Sequence, residues 1–166
     1  MRKPVEITKE DLLFMYQIFS ATKTKVNKNL TYCISYNKKT IESEALSLID
    51  AMAPSDSYVE FEEKRNSIID KYVEKDSATG SFIKSVDGKG LKIKKEFVSE
   101  CKTELKKLED EYEVLVKQRE GDIKQFDNIL KETVNIELEF VDWDDIPEDI
   151  DQTLMDALLP IVNKKD

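Results

Sequence analysis

The chain has 166 residues, 40% apolar and 37% charged, with four glycines, four prolines and a net charge of −9. That mixture is too hydrophobic for wholesale disorder and too charged for a large buried interior, and the scarcity of turn residues makes a β-sandwich or barrel a poor fit. The length suits one domain, 1–166, with a mainly α fold carrying a small antiparallel β element (α+β): antiparallel helices, one long helix and a two- to three-stranded sheet.

No apolar stretch approaches the roughly 20 residues needed to span a bilayer. The opening MRKPVEITKEDLL has acids where a signal peptide has its apolar run, so a cytoplasmic protein without membrane attachment is expected. Charge is unevenly spread. Residues 1–40 hold eight Lys/Arg against three Asp/Glu, and residues 132–166 hold two against eleven. The acidic C-terminal part repels nucleic acid and anionic membrane, so no direct nucleic-acid binding is expected; a merely solvated surface is the plain alternative reading of the run.

In chain order, Thr8 as N-cap with Asp11 three residues on opens a helix over about 8–20, with Leu12, Met15, Tyr16 and Phe19 on one face. Leu30, Ile34, Asn37, Ile41, Ala45, Leu48 and Met52, widened by Cys33 and Ile49, predict an amphipathic helix over 28–53. Asn37 is the one polar member of that stripe, and a bond across to a neighbouring helix, which could fix register, and a partly exposed position explain it equally well. Pro54 breaks the helix. Phe61, Arg65, Ile68, Ile69 and Tyr72 predict the next, over 58–75, antiparallel to its predecessor.

Strands over 81–86 and 91–94 flank Asp87-Gly88-Lys89-Gly90, a hairpin signal. The stripe Phe97, Cys101, Leu105, Leu108, Tyr112, Leu115, Arg119, Ile123, Phe126 and Leu130 predicts a long helix over 95–131, with Gly121 as its weak point. Its near-heptad spacing suits coiled-coil pairing, including a homo-oligomer through the long helix. Residues 134–140 alternate apolar and polar, predicting a strand that pairs with the hairpin, Glu137 and Glu139 lying opposite Lys84, Lys92 or Lys94. A last helix over 151–162 starts at Asp151 and carries Leu154, Leu158 and Ile161, loosened by Pro160.

There is no histidine, which removes the commonest general base and transition-metal ligand. Phosphate-loop, dinucleotide-binding and paired-cysteine motifs are missing too, and Asp87-Gly88-Lys89-Gly90 lacks the strand-to-helix context of a phosphate cradle. Cys33 and Cys101 fall at apolar positions, as buried reduced thiols do. No catalytic residue, cofactor or metal is expected. The run 142–151 is rich in carboxylates but lacks the residue order and glycine of a calcium loop. Recognition fits it better: Trp143, the only tryptophan, stands among Asp142, Asp144, Asp145, Glu148 and Asp149 like an aromatic anchor in a charged rim, and a protein partner is expected there. The alternative is that Trp143, Ile146 and Ile150 plug the end of the core.

Several pieces resemble a group of small acidic accessory proteins of tailed bacteriophages, of unknown function. They are Tyr32-Cys33-Ile34-Ser35-Tyr36-Asn37-Lys38-Lys39 leading into its helix, Glu63-Lys64-Arg65 ahead of Ile68-Ile69-Asp70-Lys71-Tyr72, the Lys75-Asp76 turn and hairpin, and Asp145-Ile146-Pro147-Glu148-Asp149-Ile150. The resemblance implies a viral or proviral protein made in a bacterial cytoplasm. The leading expectation is a non-enzymatic protein that binds and blocks a host protein, such as a defence component. A virion assembly chaperone or structural adaptor is the alternative, and a metal-dependent carboxylate enzyme a third class.

Overall fold

The computed structural model describes residues 1–23, 27–85 and 90–163. In order these form β1 (Arg2–Thr8), α1 (Lys9–Ala21), α2 (Lys28–Met52), α3 (Asp56–Tyr72), α4 (Val98–Glu111), α5 (Glu113–Leu130), β2 (Thr133–Glu139), β3 (Val141–Asp142), α6 (Gln152–Leu158) and β4 (Val162–Asn163), with short 3-10 turns at Lys95–Phe97, Trp143–Asp145 and Leu159–Ile161. The fold is mainly α with a small β component. Its contacts divide the chain into two compact units, Met1–Ala53 with Ile123–Asp166, and Pro54–Asp122, where length and composition suggested one domain.

In the first unit the alternating segment 134–140 is a strand, as its period requires, but its partner is not the hairpin. β2 pairs antiparallel with β1, from Arg2 opposite Glu139 to Thr8 opposite Thr133. The sequence reading missed β1, in which Lys3, Val5 and Ile7 alternate with the exposed Arg2, Pro4 and Glu6. Phe140 N donates to Met1 O and Lys9 N to Glu132 O, so odd residues of β1 carry the ladder bonds. Pro4 therefore sits where an N–H would face away from β2, and its lack of a donor breaks no rung. Thr8 ends the strand and caps α1: its Oγ1 accepts from Asp11 N at 3.0 Å and donates to Asp11 Oδ2 at 2.7 Å.

The core of this unit joins Leu12, Met15 and Phe19 of α1, Leu30, Ile34, Ile41, Ala45 and Leu48 of α2, Phe126 of α5, Leu138 of β2 and Leu154, Leu158 and Ile161 near the C-terminus. The helix expected over 151–162 ends at Leu158. Pro160 has no N–H to continue it, so the chain turns through Leu159–Ile161 into β4, which pairs parallel with β3. Asn37 is fully buried within the α2 stripe. Its Nδ2 donates to Glu139 O at 2.8 Å, and its Oδ1 accepts from Glu139 N at 2.7 Å. The side-chain amide thus bonds the edge of β2 as another strand's backbone would.

In the second unit, α3 and α4 run antiparallel. Phe61 packs on Tyr112, Lys71 and Tyr72 bond Glu104, and Tyr72 packs on Phe97. Ser55, not the region of Tyr58, starts α3, with its hydroxyl accepting from Tyr58 N at 3.3 Å. The helix stops at Tyr72, short of 75, because Val73 to Lys75 are extended and bridge to Ile93 and Phe82. Of the expected hairpin, Val86, Asp87, Gly88 and Lys89 lie outside the described residues. The arms on either side are not regular strands but meet at single bridges such as Lys84 with Leu91. A third segment joins them: Glu74 N donates to Lys92 O, Lys92 N to Ile83 O, and Ile83 N to Glu74 O. This three-way cycle satisfies the central backbone groups locally, which is why the arms do not need β2.

The long helix expected over 95–131 is interrupted, at Tyr112 and not at Gly121. Tyr112 has φ −106 and ψ 16, outside helical values, while its ring lies 5.4 Å from Phe61 and its hydroxyl accepts from Lys64 at 2.5 Å. Gly121 lies within α5, and a Cβ there would meet nothing within 4 Å. Gly121→Ala is therefore expected to stabilise the protein by about 1 kcal/mol, raising the midpoint of thermal unfolding followed by far-ultraviolet circular dichroism. Asn37→Ala should destabilise the first unit by about 2–4 kcal/mol, because both backbone groups of Glu139 lose a buried partner. Urea unfolding followed by Trp143 fluorescence measures it. Asn37→Asp should lose as much at pH 7, where a carboxylate opposes the Glu139 carbonyl. Only its protonated form restores both bonds, so the folded-state pKa is raised, and the deficit should shrink as pH falls below it.

Candidate interaction surface

The expected recognition residues all lie shortly after Glu139 in the chain. Beyond it Phe140 packs against the core of the first unit, with the Lys3 ammonium 4.6 Å from the centre of its ring. β3 then carries Asp142 beside Asn163 of β4. Asn163 Nδ2 donates to Asp142 Oδ1 at 2.7 Å, while its Oδ1 accepts from Lys3 Nζ at 2.8 Å. One asparagine so links the first carboxylate of the acidic run to β1.

The next turn, Trp143–Asp145, is held from the start of α2. Asn29 Nδ2 lies 3.0 and 3.1 Å from the two carboxylate oxygens of Asp145. The side-chain amide of Asn27 donates to the Asp145 carbonyl, and Asn27 Oδ1 caps α2 by accepting from Leu30 N at 2.9 Å. After the turn, Ile146 and Ile150 pack against the core. Asp151 then caps α6 through Thr153 N and Leu154 N.

This arrangement separates the roles that the sequence left open. Ile146 and Ile150 do close the end of the core, but Trp143 does not join them and is 52% exposed. Asp142, Asp144, Glu148 and Asp149 are exposed, and Asp145 is half-buried against Asn29. The turn brings Asp142, Trp143, Asp144 and Asp145 together on consecutive positions, with Glu148 and Asp149 on the irregular turn that comes next. Beside them is a recess of about 200 Å³, whose lining includes Asn29, Tyr32, Cys33, Glu139, Asp142 and Asp145. Among the described residues, no group of three or more Cys, Asp or Glu converges as metal ligands would.

Asn27, Asn29, Asn163 and Lys3 were not singled out from sequence. Asn27 had a readable signal, since an asparagine three residues before the first buried leucine is an N-cap. Asn29, Asn163 and Lys3 are ordinary polar positions whose bonds depend on the tertiary path. No family model, curated protein or solved structure matches the chain. No helix of the described residues is long and apolar enough to cross a membrane.

Behind the recess the Cys33 thiol donates to Glu139 O at 3.2 Å. Burial above all, then the nearby Glu139 charge, pushes this thiol up to about 12. Since an unfolded cysteine titrates near 8.5, the contribution of the buried thiol to stability is present below that pH and is lost as pH rises toward 12. Iodoacetamide at about pH 8.5 should leave Cys33 unmodified in the native protein and label it fully in urea, as read by peptide mass spectrometry.

Proposed function

We propose that this chain is a non-enzymatic phage or prophage accessory protein that acts by protein–protein binding in a bacterial cytoplasm, inhibiting a host protein such as a defence component. Its contact surface is Trp143 with the carboxylates Asp142, Asp144, Asp145, Glu148 and Asp149. The observation that carries this reading is the exposure of the single tryptophan on a turn held at both ends, by Asn163 on Asp142 and by Asn27 and Asn29 on Asp145. A large aromatic ring left in water on an ordered turn has already met the ordering cost of binding, which favours tight association. The rim carboxylates add selection for a basic patch on the partner and repel nucleic acid.

A second reading, a virion assembly chaperone or structural adaptor working through helix faces, draws on the exposed Val98 and Val114 of α4 and α5. Self-association through these helices belongs to the same reading. Affinity capture from host and infected cells separates the two. The first expects one host protein to be recovered by the native chain and lost with Trp143→Ala, whose affinity should fall at least about 30-fold if the ring is worth about 2 kcal/mol. Recovery of virion components alone, or a host partner indifferent to Trp143→Ala, would exclude it.

A further inference from the structure

The second unit carries a groove that the Trp143 surface leaves unexplained. α3, α4 and the residues Glu113–Asp122 of α5 enclose about 670 Å³ of open space, within the range of ligand-binding clefts. Its floor is Tyr58 and Val116, both half-buried; Phe61, with its ring centre 5.6 Å from that of Tyr58, is only 4% exposed and packs on Tyr112, and the Arg119 guanidinium lies 5.8 Å from the centre of the Tyr58 ring. Its rim is acidic: Glu62 stands on α3, and Glu109 and Asp110 stand on α4 just before the interruption. These three carboxylates form no ion pair or hydrogen bond with any other described side chain. Of the two cations in the lining, Lys117 is paired with Glu113 at 2.5 Å and Arg65 is the other, while Arg119 reaches the groove from its place over the Tyr58 ring.

We propose that this groove is a second docking surface, for a short basic amphipathic helix of another protein. An apolar side chain of that helix lies against Tyr58 and Val116, and lysines or arginines one turn away reach Glu62, Glu109 and Asp110. Charge selects this occupant. Nucleic acid and anionic membrane are repelled by the rim, and a symmetric second copy would set Glu109 and Asp110 near their own counterparts. The stretch from Glu109 to Glu120 spans at most about 16 Å at 1.5 Å per residue, which about three helical turns of a partner would cover. The proposal is independent of the Trp143 surface, which belongs to the other unit.

The test uses the full chain and a fluorescein-labelled peptide of about twelve residues, with leucines along one helical face and lysines on the other, followed by fluorescence anisotropy. Saturable binding is expected, weakened at least roughly tenfold by the double reversal Glu109→Lys with Asp110→Lys, and also by raising NaCl from about 0.05 to about 0.5 M. Tyr58→Ala, at the partly exposed edge of the floor, should weaken it as well, while circular dichroism checks that each variant is folded. Trp143→Ala and the reversal Asp142→Lys with Asp145→Lys should leave affinity within about twofold. Absence of saturable binding would overturn the proposal. So would equal loss on reversal at Asp142 and Asp145, or equal binding of the analogue with glutamates in place of lysines, either of which would reduce the effect to general attraction or stickiness.

Discussion

A single side-chain amide determines how the first unit is built. Asn37 sits in the middle of the apolar stripe of α2, completely buried, where an unsatisfied polar group would be costly. Its cost is offset because the amide donates to the Glu139 carbonyl and accepts from the Glu139 N–H. By the parity of the β1–β2 ladder, these backbone groups point away from β1; without the amide the Glu139 N–H would be left unpaired beneath a helix and the carbonyl would keep only the weak Cys33 thiol. Helix and strand edge each resolve a problem posed by the other. The pairing also sets register, since sliding α2 by one residue would place an apolar side chain or an outward-facing one against that edge.

The segment beyond Glu139 inherits this position. It leaves the anchored residue, passes the recess beside Tyr32 and enters β3, so the place where Trp143 emerges is set a few residues downstream of Glu139. The same helix then acts twice more, through Asn27 and Asn29 on Asp145. Three asparagines on or capping α2 so tie the acidic turn and the strand before it to one rigid element. These bonds fix Asp145 on the start of α2, while Asp144, Glu148 and Asp149 stay exposed.

Much of this architecture was legible because periodicity and capping are local. Thr8 with Asp11, Asp151 ahead of Leu154, the α2 stripe and the alternation from Val134 all carry their meaning within a few residues. Pairing was not legible, because β1 offers only Lys3, Val5 and Ile7 around a proline, and nothing local tells β2 to choose it over the arms of residues 81–94. Gly121 drew the break in the long helix because propensity is read one residue at a time. The interruption falls at Tyr112, where packing on Phe61 and the bond from Lys64 override a residue type that helices tolerate. Asn37 was visible as an anomaly in its stripe, but its partner, a backbone 102 residues away, was not. The site residues were found as a composition, whereas their holders Asn29, Asn163 and Lys3 have no sequence signature at all.

The anchor can be measured residue by residue. Glu137 and Glu139 lie on the same edge of β2, both with N–H groups directed away from β1, but only Glu139 faces the Asn37 amide. Amide hydrogen exchange followed by heteronuclear NMR should find the Glu139 N–H strongly protected and that of Glu137 exchanging freely. Comparable, rapid exchange at both positions would show that no bond holds Glu139, and that the path of the chain to Trp143 is not determined by the helix beneath it.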